Sequence, residues 1–263
     1  MTDVPQNTGE RRGGEESAQL AGATETSLPS LIEIRHDEAF PLVLDHTHRI
    51  ATEAFGILRS RVLRAHLKYG IRSIVFTSPG MSQGKSLISV NLALSFGHLG
   101  QKRVLLVDGD LRASGATRML KLEKLPGLAD LLLGKATPEE AIRATNFPHL
   151  SLLPAGNVPE KALPELLAGS SWKEFLESAK QQYDLILIDT VPVTAPVVDL
   201  ELLAASCDAA LLVVQIRKTT RESLEAVPKR LDRQKLLGVV INNADAISDY
   251  TSGYYNYYRL KPR

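Results

Sequence analysis

Thr77-Ser78-Pro79-Gly80-Met81-Ser82-Gln83-Gly84-Lys85-Ser86 stands between the apolar run Ile74-Val75-Phe76 and the stretch Leu87-Ile88-Ser89-Val90-Asn91-Leu92-Ala93-Leu94, which has helical spacing. The order reads as strand, phosphate loop, helix. Backbone N–H groups of such a loop, together with the positive end of the helix dipole, face an anion. Gly84 permits close backbone approach, Lys85 is placed to reach the β- and γ-phosphates, and the Ser86 hydroxyl is placed to ligate Mg²⁺. Pro79 occupies the position of the usual first glycine, six residues before Lys85. The pattern predicts a nucleoside triphosphate site; an incidental glycine-rich turn is the alternative.

Outward from this loop, apolar runs alternate with helical segments. Strands are expected at Arg103 to Val107, Leu150 to Leu153, Leu185 to Ile188, Ala209 to Ile216 and Leu236 to Ile241. Helices are expected around Leu128 to Leu133, from Pro138 to Ala144, within Pro164 to Gln182, and from Thr219 to about Arg233. Such alternation predicts an α/β fold with a doubly wound, mainly parallel sheet. Parallel strands deliver their C-terminal ends to one edge, so Asp108, Asp110 and Asp189 converge there on the loop that holds Lys85. Phosphoryl transfer needs that set: a cationic cradle, oxygen ligands for Mg²⁺ and a proton acceptor.

Ahead of the loop, Ala54, Phe55, Leu58, Val62 and Leu63 share one face of an amphipathic helix with Thr47 or Thr52 as N-cap. Glu53, Arg59, Arg61 and Arg64 are expected on its solvated face. Residues 1 to about 30 have the composition of a disordered arm, and Leu31 to Leu44 alternates weakly, as an extended docking segment would. His46 and His48 have the spacing of a metal pair, but no further ligand cluster accompanies them, which favours a solvated loop. The domain reading is an arm over 1–45, a core domain over 46–245 and a tail over 246–263.

The 263 residues, 44% hydrophobic and 23% charged, suit an ordinary soluble protein. A formal charge of +1 argues against nucleic-acid binding or coating of a membrane. The single cysteine, Cys207, reads as a small, partly buried residue and fits a reducing cytoplasm. No apolar run approaches membrane-spanning length. A membrane connection is therefore expected only through a partner.

Tyr250, Tyr254, Tyr255, Tyr257 and Tyr258 crowd the tail without forming an apolar face. They read either as phosphate acceptors or as an aromatic interaction tail. Extended, the chain from Asn243 to Tyr258 reaches roughly 50 Å, far enough for its own site or a neighbour's.

The loop, Val107-Asp108-Gly109-Asp110-Leu111-Arg112, Ile188-Asp189-Thr190 and the tyrosine cluster together resemble the bacterial tyrosine kinases of capsule and exopolysaccharide assembly, whose Walker A, A′ and B motifs these match. Pro154-Ala155-Gly156, Pro164-Glu165-Leu166-Leu167, Asp199 and Leu237-Gly238-Val239-Val240 extend the resemblance over about residues 50 to 258. It implies a P-loop NTPase of the deviant-Walker, MinD- and ParA-like superfamily, with ATP and Mg²⁺ as cofactors. By resemblance, Gly80, Ser82, Gln83, Gly84, Lys85, Ser86 and Leu87 bind the nucleotide. Ser86, Asp108 and Asp189 hold the metal, and Lys85, Asp108, Asp110 and Asp189 carry catalysis. The five tyrosines would be the acceptors in autophosphorylation that regulates polysaccharide polymerisation and export. The implied partners are a separate transmembrane activator or polysaccharide co-polymerase, further copies of the chain, and a phosphotyrosine phosphatase. The implied place is the cytoplasm, with recruitment to the inner face of the membrane by that partner.

Two departures stand out. Family members carry Glu-x-x-Arg-x-x-Arg in the leading helix, where the arginines join a subunit ring; here the positions are Glu53, Gly56 and Arg59. The loop reads Met81-Ser82-Gln83 where Pro-Gly-Glu is common. Other readings are a non-catalytic ATP-binding regulator and a partitioning-type ATPase switch. Gly80, where such switches have a signature lysine, speaks against the latter.

Overall fold

The computed structural model describes residues 31–35, 49–157 and 160–243. The arm at 1–30, His46, His48, the tail at 246–263 and its five tyrosines lie outside the described residues. The chain opens on α1 (Arg49–Tyr69), β1 (Ser73–Thr77), α2 (Lys85–Leu99) and β2 (Val104–Asp108). It continues through α3 (Gly115–Met119), α4 (Leu128–Leu132), α5 (Pro138–Ala141), β3 (Arg143–Ala144) and β4 (Leu150–Leu153). Then come α6 (Leu163–Ala168), α7 (Ser171–Gln182), β5 (Leu185–Asp189), α8 (Asp199–Ala205), β6 (Ala209–Gln215), α9 (Arg221–Arg230) and β7 (Leu236–Asn242).

The seven strands lie in the order β3-β4-β2-β5-β1-β6-β7, and every pairing except that of β3 with β4 is parallel. Continuous apolar runs suit strands covered on both faces. Val75, Val107, Ile188 and Leu212 face one layer, where α4, α6, α7 and α8 contribute Leu128, Leu163, Trp172 and Leu203. Phe76, Leu106, Leu187 and Leu211 face the other, filled by α1, α2 and α3 through Val62, Leu92 and Ala116. Because α2 is enclosed between the sheet and α1, its residues from Ile88 to Gly97 are buried.

The expected strands are all present, and three details differ. The helix expected from Pro138 to Ala144 ends at Ala141, and Arg143–Ala144 pairs antiparallel with β4 as a short edge strand. On α1, Ala54 is exposed and Ala65 buried, and Thr52 lies inside the helix rather than capping it. Arg59 is only partly solvated: its guanidinium donates to the Ser95 carbonyl and hydroxyl, both at 2.7 Å, tying α1 to α2. Gly56 faces open space, with nothing within 4 Å of where a Cβ would sit. The expected docking of the segment after residue 30 is seen at Ile32, which bridges Thr145 in parallel, and at Ile34, which is buried. Cys207 is buried outright, its thiol donating to the Leu203 carbonyl and pushed up to about 12 by burial.

Candidate active site

The phosphate loop begins where β1 ends and closes onto α2. Gly84 takes φ 89°, the left-handed region that favours glycine, and a Cβ there would lie 2.0 Å from Asn242 Nδ2. Asn242, the last residue of β7, donates from Nδ2 to the Gln83 carbonyl at 3.0 Å. Lys218 Nζ donates to the Ser82 carbonyl at 2.7 Å. The loop is therefore held from outside by the last two parallel strands and their connections.

Beside the loop, Asp108 and Asp189 are register partners at the ends of β2 and β5. Their neighbour Asp110 receives the Lys85 ammonium at 2.8 Å, and Lys85 lies 3.8 Å from Asp189. The Asp108 carboxylate accepts the backbone N–H of Asp110 at 3.1 Å and that of Thr117 at 2.7 Å. Asp189 is fully buried, and neither of its oxygens has a hydrogen-bond partner.

This geometry sets the protonation equilibria. Burial pushes Asp189 up to about 7 against the pull of Lys85, and repulsion from Asp108 and Asp110 adds to the rise. Burial likewise raises Asp108 to about 6, opposed by its bonds from Thr117. For Lys85 burial disfavours the charge, but Asp189 and Asp110 outweigh it and the pKa is raised. The lysine remains cationic among the carboxylates.

Of the residues expected at the site, Lys85, Ser86, Asp108, Asp110 and Asp189 come together. Gln83 does not direct its side chain to the loop's mouth; its amide is buried beside the Thr219 hydroxyl at 3.0 Å. Leu87 turns its side chain toward the core, leaving only its backbone to meet a ligand. Sequence reasoning missed Thr117, Lys218 and Asn242. Asn242 alone carried a signal, since it ends a parallel strand on the phosphate-loop edge.

The fit to Mg²⁺ rests on the orphaned Asp189 oxygens and on Ser86. A Cβ at Gly115 would come within 2.5 Å of Ser86 Oγ and 3.6 Å of Asp189 Oδ2, so hydroxyl and carboxylate border one small space kept clear by a glycine. Among the described residues no three His, Cys, Asp or Glu side chains form a metal cage. Mg²⁺ suits this arrangement, because it is commonly held by one or two protein oxygens plus water and substrate phosphates.

Fold and loop define a P-loop nucleotide-binding domain. The profile of the AAA domain matches residues 73–242. Among solved structures, the septum site-determining protein MinD of Pyrococcus horikoshii OT3, complexed with Mg-ADP, aligns with TM-score 0.53 at 27% identity, covering 65% of this chain and 68% of that one. The chimerical protein CapA2B2 aligns with TM-score 0.69 at 28% identity, over 81% of this chain and 93% of that one. The tyrosine-protein kinase YwqD of Bacillus subtilis (strain 168) is 33% identical over 207 residues, spanning 78% of this chain and 86% of the relative. The chain belongs to the bacterial tyrosine-kinase family.

Proposed function

We propose that the protein is an ATP-dependent protein-tyrosine autokinase whose acceptors are Tyr250, Tyr254, Tyr255, Tyr257 and Tyr258, and that it regulates polymerisation and export of a capsular polysaccharide or exopolysaccharide. The observation that carries this reading is the convergence of Lys85, Ser86, Asp108, Asp110 and Asp189 at one sheet edge in a chain of this family.

Phosphoryl transfer depends mainly on positioning and charge stabilisation. Lys85 exchanges Asp110 for the β- and γ-phosphates, and the N–H groups of Gly80 to Leu87 surround them. Ser86, Asp108 and Asp189 would hold Mg²⁺, which would supply positive charge against the phosphates. A tyrosine hydroxyl, with pKa about 10, attacks the γ-phosphorus as the bond to the bridging oxygen of ADP breaks. Asp108 takes the hydroxyl proton. Burial raises its pKa above the ordinary carboxylate value, which makes it the stronger proton acceptor. Full autophosphorylation by Asp108→Asn would overturn that assignment.

Among the described residues no helix is long and apolar enough to cross a membrane. The same reading includes recruitment from the cytoplasm to the inner membrane face by a separate transmembrane activator, with a phosphotyrosine phosphatase reversing the modification. Homo-oligomerisation belongs to the same reading, although Gly56 removes one ring arginine and Arg59 is bound within its own chain. Each phosphotyrosine adds about 1.5 to 2 negative charges, so phosphorylation of clustered tails favours subunit separation.

The test is phosphopeptide mass spectrometry of the protein from its own cells beside a Lys85→Met version. Phosphate on Tyr250 to Tyr258 that disappears in the variant is the expected result. A tail left unmodified while polysaccharide is made would instead support an ATP-binding regulator without kinase activity.

A further inference from the structure

The segment from Val191 to Val198, which joins β5 to α8, reads Val-Pro-Val-Thr-Ala-Pro-Val-Val. Pro192 and Pro196 lack N–H groups, so regular secondary structure is denied to it and its carbonyls need donors from elsewhere. Arg230, the last residue of α9, supplies them. Its guanidinium donates to the carbonyls of Val193, at 2.7 Å, and of Ala195 and Val197, and it forks onto the Glu201 carboxylate, reaching Oε2 at 2.8 Å. None of its five N–H groups is left over.

The other side of the same segment is laced to the start of the phosphate loop. Val193 N donates to the Ser78 carbonyl at 2.8 Å, and Thr194 N to that of Pro79 at 3.2 Å. Thr77 Oγ1 donates to the Val191 carbonyl at 2.8 Å, and Thr190 Oγ1 to that of Phe76 at 2.8 Å. Arg230 and the loop thus grip one short stretch from opposite sides.

We infer that Arg230 is a positioning residue for nucleotide binding, acting through Val193 and Thr194 on the backbone of Ser78 and Pro79. It touches no phosphate-site residue directly. Resting on the nucleotide-site reading above, this assigns a role to an arginine 145 positions from Lys85 in number and outside every motif quoted for the family. A planar fork is required: lysine offers a point charge with three donors and cannot span carbonyls and carboxylate together.

The test is titration of the full chain with a fluorescent ADP analogue and Mg²⁺, read beside the midpoint of thermal unfolding. Arg230→Gln, Arg230→Lys and Asp208→Ala are compared with the parent protein. Asp208, at the opposite ends of the strands, controls for loss of stability alone. Arg230→Gln should weaken binding about tenfold or more, as misplacement of a binding backbone does, Arg230→Lys by less, and Asp208→Ala should leave affinity unchanged at temperatures where the protein is folded. Equal affinity of Arg230→Gln and the parent overturns the inference, as does an equal loss in Asp208→Ala. If Arg230→Gln and Arg230→Lys both fail to fold, Arg230 serves the core instead and the inference falls. Absence of binding by the parent protein would overturn the nucleotide-site reading itself, which is a distinguishable failure.

Discussion

Asp189 and Asp208 lie at opposite strand ends of one sheet, and their surroundings are opposite too. Asp208, just before β6, accepts the backbone N–H groups of Arg72 at 2.8 Å and Ser73 at 2.9 Å, and the Lys180 ammonium at 3.0 Å. Partial burial disfavours its charge, but these donors prevail and its pKa is lowered. Asp189, ending β5, is fully buried with neither oxygen hydrogen-bonded, and its pKa is raised to about 7. One carboxylate serves the fold by being satisfied. The other is held unsatisfied where a cation and phosphates would complete it, and such strain is expected at sites rather than in scaffolds.

The contrast can be broken most sharply at Lys85. Lys85→Met should abolish tail phosphorylation, a loss of at least about a hundredfold in a radiolabelled-phosphate assay, because the transition-state charge loses its cation. Asp189→Asn should likewise remove most activity yet stabilise the unliganded protein by about 1–3 kcal/mol in urea unfolding, since it deletes a poorly compensated buried charge. A variant less stable than the parent would show that the carboxylate serves the fold. Asp208→Ala should do the reverse, lowering stability by about 1–2 kcal/mol with little change in turnover per folded molecule.

A smaller effect is expected from pH. The folded pKa of Asp189 lies above its unfolded value near 3.9. Its contribution to stability is therefore fully present below about pH 4 and is lost as pH rises through about 7. The stability of the unliganded parent should fall relative to Asp189→Asn across that interval. Asp208 has the opposite sign: its contribution is present above its unfolded value and lost as pH falls through the lowered folded one. Parallel pH profiles for parent and Asp189→Asn would remove the asymmetry between the strand ends.

The site was legible where chemistry and topology coincide. Lys85, Asp108, Asp110 and Asp189 could be placed together from strand ends alone, because a parallel sheet sends those ends to one edge. The strands were legible because residues such as Leu185 to Ile188 are apolar without interruption. Arg143–Ala144 was not, being too short to show a period, and its antiparallel pairing depends on where β4 lies. Arg59 was misplaced because spacing assigns a helical face, whereas a long guanidinium can reach around to a neighbouring helix. Arg230 was missed for a related reason: side chain to backbone bonds over long sequence separation leave no recurring pattern.

The bond from Asn242 to the Gln83 carbonyl spans 159 positions. On a ribosome adding about 5–20 residues per second, the phosphate loop emerges roughly 8–30 s before the strand that braces it. For that interval the nascent chain carries its nucleotide motif without its final support. A newly made molecule therefore acquires a finished site only once β7 has followed the loop out, when the tyrosine-bearing tail is the next segment to be made.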